Sequence, residues 1–199
     1  FITRLGIGGM PFMLPLLYQI GLGLPAWPSG LLIMPSAAAA MTMKLISTHL
    51  LARFGFRRVL VVNTVLIGLT IAAFSRVVPG TPTAAIVGLS LLQGLFNSLQ
   101  FSSMNSMAYS DIRPEDSSVA SSIASSMQQM SMSFGLACAA LVVAACLGEQ
   151  PQSDRAAVIS ALHHTFLTMG ALTILSSLSF WTLRPDDGEN VSKGAGGEG

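Results

Sequence analysis

The 199-residue chain is too apolar for an ordinary soluble domain, because 51% of its residues are hydrophobic and only 10% are charged, against about a quarter charged in soluble domains. The formal net charge is +1, and the basic residues form no patch interleaved with aromatic side chains. This composition argues against a nucleic-acid partner. It predicts an all-α protein that spans a membrane, with membrane lipid as its surroundings.

Six apolar stretches follow one another along the chain, and Lys44 is the one formal charge within them. Each stretch is close to or longer than the roughly 20 residues that an α-helix needs to cross the hydrocarbon core. They cover residues 5–24, 30–51, 59–75, 84–108, 119–147 and 161–183. We therefore predict one bundle of six transmembrane helices over residues 1–184, with the third span reaching about residue 78. The polar, Gly-rich residues 185–199 are predicted to be a disordered tail.

The first span concentrates residues that bend helices or let them approach closely. Its prolines and glycines are Gly6, Gly8, Gly9, Pro11 and Pro15. Each proline removes an intrahelical hydrogen bond, which favours a bent helix beside a cavity, whereas glycines also serve simply as close-packing contacts between helices. Tyr18 and Gln19, near the end of this span, are candidates for lining such a cavity.

The connection between the second and third spans is short and basic. It contains Arg53, Arg57 and Arg58, with Gly55 in a position to supply an unusual backbone angle. The arginines would face anionic lipid headgroups or the carbonyl ends of helices. Alternatively, they only fix the orientation of the neighbouring spans in the membrane.

The fourth span carries a polar stripe. Gln93, Asn97, Gln100 and Met104 are spaced 4, 3 and 4 residues apart, which places them within an arc of roughly 60° on one helix face. Polar side chains inside a membrane face protein or water rather than lipid. The stripe therefore lines a hydrated substrate cavity or forms hydrogen bonds to a neighbouring helix, and the sequence leaves both alternatives open.

The fifth and sixth spans give weaker signals. Serines and small residues follow one face of the fifth span, which favours close helix packing, while Gln128 or Gln129 is long enough to reach a cavity. We select Gln129 as a cavity candidate. Cys138 and Cys146 have no CxxC spacing and are predicted to be buried thiols, so no metal site is expected. Ser153 or Asp154 is predicted to cap a short interfacial helix before the sixth span.

The distribution of basic residues predicts the orientation of the spans. If all six stretches cross the membrane, seven basic loop residues lie on one side and two on the other. Cytoplasmic loops carry the excess of Lys and Arg, so both ends of this segment are predicted to be cytoplasmic.

A resemblance to a known family follows from these residues. The segment from Leu51 to Leu60 is similar to the cytoplasmic loop signature G-x-L-A-D-R-x-G-R-R-x-x-L of the major facilitator superfamily, with Arg53, Gly55 and Arg57 matching it. Thr48 replaces the leading glycine and Ala52 replaces the aspartate, so a gating role for that aspartate does not carry over. The chain resembles the C-terminal six-helix half of such a transporter, most closely the bacterial 14-spanning drug:proton antiporter branch.

The resemblance implies a major-facilitator-type bundle of two inverted three-helix repeats, whose first and fourth helices line a central cavity. It also implies proton-coupled efflux of amphipathic organic compounds or drugs by alternating access, in the inner membrane of a bacterium. The expected partners are the N-terminal helical half of the same transporter, which this segment lacks, and a small amphipathic substrate. No cofactor is expected. Because the six spans contain no carboxylate, the proton-coupling group is expected in the N-terminal half.

The sequence also bears on two functions other than transport. A six-helix membrane scaffold or partner subunit that transports nothing remains the alternative. An intramembrane enzyme is not expected, because the spans contain no GxSG setting for a Ser/His pair, no HExxH motif and no paired carboxylates.

Overall fold

The computed structural model describes residues 2–109, 117–148 and 154–178. The described chain contains six α-helices and no strand. They are α1 Ile2–Leu16, α2 Ala26–Phe54, α3 Phe56–Ala73, α4 Thr83–Tyr109, α5 Ser117–Leu147 and α6 Arg155–Ser176. A π-helical turn, Leu17–Gly21, continues α1, and a 3₁₀ turn, Phe74–Arg76, follows α3. The predicted all-α class is confirmed, while the predicted disordered tail lies outside the described residues.

Five helices, α2 to α6, are long and apolar enough to cross a membrane by length and composition. The first helix differs because its α-helical part has only 15 residues and contains Pro11 and Pro15. Neither proline can donate a backbone hydrogen bond, and the helix changes to π-helical geometry directly after Pro15 and Leu16. Together, the two parts of this helix run from Ile2 to Gly21.

Two helix starts show how local chemistry fixes the boundaries. The second predicted span begins at residue 30, but α2 begins at Ala26, and Pro28 lies in its first turn. Proline is tolerated there because the first N–H groups of a helix have no intrahelical acceptor. Asp154, one of the two predicted caps, caps α6 itself rather than a short helix before it. Its Oδ1 accepts from the backbone N–H of Ala156 at 3.0 Å and of Ala157 at 3.4 Å.

The helices pack in pairs that fit two inverted repeats. Helix α1 packs on α5 and α6, and α4 packs on α2 and α3. If α1, α2 and α3 correspond to α4, α5 and α6, the contacts of α1 with α5 and α6 correspond to those of α4 with α2 and α3. The contact between α3 and α6 corresponds to itself. This correspondence is what a pseudo-two-fold axis between the repeats requires.

Glycines allow the closest of these helix contacts. A Cβ atom on Gly68 of α3 would lie 2.8 Å from the carbonyl oxygen of Gly170 of α6, and one on Gly170 would lie 2.7 Å from the oxygen of Gly68. A Cβ atom on Gly94 of α4 would overlap the carbonyl oxygen of Ser36 of α2. Small residues in membrane bundles permit such backbone approach, which strengthens packing where no hydrophobic effect drives it.

The buried core lies where α1, α3, α5 and α6 meet. The rings of Phe74 and Phe166 stack there with centroids 5.7 Å apart, and Ile67 and Leu162 are fully buried beside them. The outward faces carry large apolar side chains, such as Leu45 with 79% exposure. Such faces suit a lipid environment, in which apolar side chains lose nothing by being at the surface.

The cysteine prediction is only partly right. Cys138 is half-buried, but Cys146 is exposed on the described bundle. The buried face of α5 follows Gly135, Ala139, Val143 and Leu147. Cys146 is one residue away from that face, about 100° around the helix, and so points outward.

Candidate functional site

The polar stripe of α4 is turned toward the interior of the bundle. Gln93 is 3% exposed and Gln100 is 1% exposed, whereas Asn97 and Met104 between and beyond them are half-buried. The stripe therefore avoids the outer surface of the helix, as expected for polar groups in a membrane.

Gln93 and Asn97 form one pair within the stripe. The Gln93 Nε2 donates to Asn97 Oδ1 at 3.3 Å. Within the described part of the chain, Gln93 Oε1 is buried and accepts no hydrogen bond. An unsatisfied buried acceptor costs about 1–3 kcal/mol, so this oxygen is a place where a water molecule or another polar group would be stabilised.

Gln100 instead joins α4 to α3. Its Nε2 donates to Thr64 Oγ1 at 3.0 Å, and its Oε1 accepts from Asn63 Nδ2 at 2.8 Å. The same Asn63 nitrogen also donates to the backbone oxygen of Phe96 at 2.9 Å. Of the two alternatives that the sequence left open, interhelical hydrogen bonding is the one observed for Gln100. Asn63 and Thr64 were not among the predicted site residues.

A small cleft between α1, α4 and α5 lies beside the stripe. Its volume is about 80 Å³, and Asn97, Gln100 and Met104 of α4 contribute to its wall. The remaining lining residues are Arg4 and Ile7 of α1, Phe101 of α4, and Gln128 and Met132 of α5. Mostly apolar walls with a few polar groups are typical of sites for small organic molecules, although this cleft alone is too small to enclose one.

Side-chain contacts link α1 to its neighbours at both ends of the stripe. Near one end, the Tyr18 hydroxyl lies 3.5 Å from Ser90 Oγ, and Tyr18 is fully buried. Near the other end, Arg4 Nη1 donates to Gln128 Oε1 at 3.3 Å, and its guanidinium lies 5.5 Å from the centre of the Phe101 ring. The half-buried Arg4, one of the seven residues counted as basic loop residues in predicting the orientation, thus belongs to helix α1 and lines the cleft.

The other two cavity candidates face away from this cleft. Gln19, one residue after Tyr18, is exposed. Gln129 is exposed as well, in a shallow depression of α5 that includes Ser126 and Ser133. Gln128, rather than Gln129, reaches the cleft. Asn97 and Gln100 therefore line the cleft, Gln93 is buried beside Asn97, and the Tyr18 hydroxyl approaches Ser90 of α4. Gln19 and Gln129 lie on outer faces of this bundle.

The basic connection between α2 and α3 consists of one residue. Helix α2 ends at Phe54, α3 begins at Phe56, and Gly55 between them has φ 76° and ψ 150°. Only glycine adopts this backbone conformation without strain. Arg53 lies 5.8 Å from the Phe54 ring centre, while Arg57 and Arg58 are in the first turn of α3.

No group of three or more His, Cys, Asp or Glu side chains that could hold a metal ion occurs within residues 2–109, 117–148 and 154–178. The described site therefore consists of amides, hydroxyls, one guanidinium and apolar side chains. Such groups bind ligands by hydrogen bonds and apolar contact.

Comparison with known proteins identifies the family that the chain is similar to. A sequence profile of the Major Facilitator Superfamily matches residues 1–136. A relative from Klebsiella pneumoniae, named "Putative multidrug resistance protein MdtD", is 36% identical over 196 residues, which cover 96% of this chain and 41% of the relative. Proteins of the same name from Yersinia enterocolitica and Yersinia pestis are each 34% identical over 195 residues, 94% of this chain and 40% of the relative.

The chain thus spans about two fifths of the length of these relatives. No solved structure matches it. The profile covers more than half of the chain, and the relatives align with nearly all of it. With apolar helices packed as two inverted repeats, the chain belongs to the Major Facilitator Superfamily.

Proposed function

We propose that the chain is the C-terminal half of a secondary transporter that exports amphipathic organic compounds across a bacterial inner membrane. The relatives that carry the multidrug resistance name align with it over almost its whole length. Export would be coupled to protons and would proceed by alternating access, in which one helical half moves against the other around a central site.

The observation that carries this proposal is the position of Asn97. Its side chain is half-buried, pairs with Gln93 and lines the cleft between α1, α4 and α5. The surrounding wall contains Ile7, Met104 and Met132, whose flexible or apolar side chains suit ligands of varied shape. Opposed by a second helical half, such a wall would bind amphipathic molecules, with the amides accepting or donating hydrogen bonds.

The remaining candidates have distinct roles in this proposal. Tyr18 and Gln100 hold α1 and α3 against α4 at the border of the path, as their hydrogen bonds suggest. Gln19 and Gln129 would contact the N-terminal half or the substrate from faces that are exposed in this half. The turn at Gly55, with Arg53 at the end of α2 and Arg57 and Arg58 at the start of α3, would lie on the cytoplasmic side, where basic residues are in excess.

Helix α1 is the element best suited to move. Pro11 and Pro15 interrupt its α-helical hydrogen bonding between Arg4 and Tyr18, and Tyr18 itself lies in the π-helical turn. Irregular helix segments of this kind recur at functional sites. The spans themselves carry no carboxylate, so we place the proton-coupling group in the N-terminal half.

The test is replacement of Asn97→Leu in the complete transporter, reconstituted in vesicles and assayed for dye efflux under an imposed pH gradient. We expect efflux to fall several-fold while the protein remains inserted and abundant, because Leu removes a polar contact from the path without crowding a helix interface. Asn105→Leu on the same helix, off the stripe, is the matched control and should retain efflux. Equal loss in both variants, or loss of folded protein with Asn97→Leu, would contradict the proposal.

A further inference from the structure

Two adjoining cavities lie on the outer surface of the bundle around the turn between α2 and α3. The first, which we call the arginine cavity, has a volume of about 430 Å³ and is formed around Gly55 by Arg57 and Arg58. The second, the apolar groove, also has a volume of about 430 Å³ and lies between α2, α3 and α4. Phe54, Arg58 and Val62 belong to the walls of both, so the two cavities are continuous.

The arginine cavity favours an anion. Arg58 is exposed and takes part in its wall together with Arg57. Helix α3 starts here, and no side chain caps its first N–H groups, which adds partial positive charge at the same place. The turn from Arg53 to Arg58 contains no acidic residue. A phosphate would therefore meet complementary charge.

The apolar groove favours a hydrocarbon chain. Met43 and Leu50 of α2, Leu66 of α3, and Phe96 and Leu99 of α4 form its walls. Eight residues separate Arg58 from Leu66 on α3, a rise of about 12 Å along the helix. Asn63, between these two residues, also belongs to the wall. Its side-chain nitrogen donates to Phe96 and Gln100, and its Oδ1 is buried without a hydrogen-bond partner among the described residues. The groove thus runs from a basic rim toward the middle of the span with mostly apolar walls.

We propose that these cavities together bind one anionic phospholipid, with its phosphate in the arginine cavity and one acyl chain in the apolar groove. The order of the two cavities matches a phospholipid, whose charged group lies at the membrane surface and whose chains extend inward. A free phosphate would fill only the first cavity, and a lipid without a phosphate group would bring no anion to Arg58. The site lies away from the cleft beside Asn97, and it does not depend on which compounds the transporter exports.

The experiment is native mass spectrometry of the complete protein, purified in detergent and titrated with phosphatidylglycerol or phosphatidylcholine of identical acyl chains. We expect preferential binding of phosphatidylglycerol, because the trimethylammonium group of phosphatidylcholine would bring a positive charge close to Arg57 and Arg58. Arg58→Gln should weaken that binding about fivefold, the effect of one juxtamembrane basic residue. Arg53→Gln is the matched control, because it removes the same charge from the same turn but Arg53 lines neither cavity. Equal weakening by both variants would mean diffuse attraction and would reject the site.

The groove is tested separately with Leu66→Trp, which fills it, and Leu69→Trp, which places the same side chain on an exposed position of α3 outside it. We expect only the first to reduce phosphatidylglycerol binding. Competition with inorganic phosphate distinguishes the two sources of a phosphate group. If inorganic phosphate displaces the lipid fully and Leu66→Trp has no effect, the cavity is a simple anion site and the phospholipid proposal is wrong. An unchanged elution volume in gel filtration shows that each variant is folded.

Discussion

Asn97 and Gln100 lie about one turn apart on α4, but their surroundings differ. Asn97 bonds only within its own helix among the described residues, to Gln93. Gln100 forms two hydrogen bonds to α3, through Asn63 and Thr64. A polar side chain with two interhelical hydrogen bonds contributes to the stability of the bundle, whereas a half-buried one that lines a cleft is available to a ligand. Two amide side chains of one stripe thus have different roles.

We therefore predict that Gln100→Leu destabilises the protein more than Asn97→Leu does. Loss of the two interhelical hydrogen bonds should lower the free energy of unfolding by about 1–2 kcal/mol, since each such bond contributes about 0.6 kcal/mol in membrane proteins and about 1 kcal/mol in soluble proteins. The measurement is the thermal unfolding midpoint of the complete protein in detergent. A double-mutant cycle with Thr64→Val isolates the bond, and additive effects of the two substitutions would show that the Gln100–Thr64 contact contributes nothing.

Arg4 is the one formal charge that lines the cleft, and it contacts both α4 and α5. We predict that Arg4→Gln reduces efflux more than Arg4→Lys, because glutamine loses the positive charge over Phe101 while lysine keeps it. Initial efflux rates in reconstituted vesicles measure the difference. Equal rates for the two variants would show that the charge at this end of α1 is not used.

At the scale of helices, glycines decide which faces come together. Gly94 of α4 faces the backbone of Ser36 in α2, whereas a Cβ atom on Gly88 of the same helix would meet nothing within 4 Å. We predict that Gly94→Ala destabilises the protein by about 1–3 kcal/mol through overpacking. Gly88→Ala should instead stabilise it by up to about 1 kcal/mol, because alanine is the better helix former.

The paired unfolding midpoints of these two variants in detergent check the prediction. A midpoint for Gly94→Ala at or above that of the unchanged protein would show that α2 and α4 separate freely at this contact. The matched position on the same helix controls for the general effect of alanine on helix formation.

The helices could largely be predicted from the sequence, because long apolar runs and the cap at Asp154 depend on local chemistry. The partners of the polar side chains could not. Gln128 and Gln129 point in directions about 100° apart around the axis of α5. Which of them reaches the cleft is decided only when α5 packs on α1. Likewise, nothing local to Gln100 indicates that Thr64 of α3 lies opposite. The position of Arg4 in the cleft could not be predicted either, because it depends on the start of α1 lying beside the end of α4.

At the scale of the whole molecule, the proposed orientation can be measured directly. In a background with Cys138→Ala and Cys146→Ser, a single Ser118→Cys, at the start of α5, should react only with reagents that enter the cytoplasm. Thr83→Cys, at the start of α4, should react from outside. The excess of basic residues at one end of the helices is the physical reason. Labelling of Ser118→Cys by an impermeant reagent in intact cells would reverse the proposed orientation.

A segment of residues 1–199 expressed alone should insert into membranes but should not export dye under a pH gradient. Its spans carry no carboxylate, and without the opposing half its exposed Gln19 and Gln129 would face lipid, at about 1–3 kcal/mol for each unsatisfied group. Coexpression with the N-terminal half is the control and should restore export. Gradient-driven efflux by the segment alone would instead indicate a self-sufficient six-helix carrier.

The one-residue connection at Gly55 has a mechanical consequence. Two consecutive peptide units hold Phe54 and Phe56 within about 7 Å of each other, so α2 and α3 can change their angle at this point but cannot slide apart. Helix α2 has 29 residues, which corresponds to a length of about 43 Å. A change of about 10° at Gly55 would therefore displace the far end of α2 by roughly 7 Å. A small rotation on the side of the arginines becomes a wide opening on the opposite side.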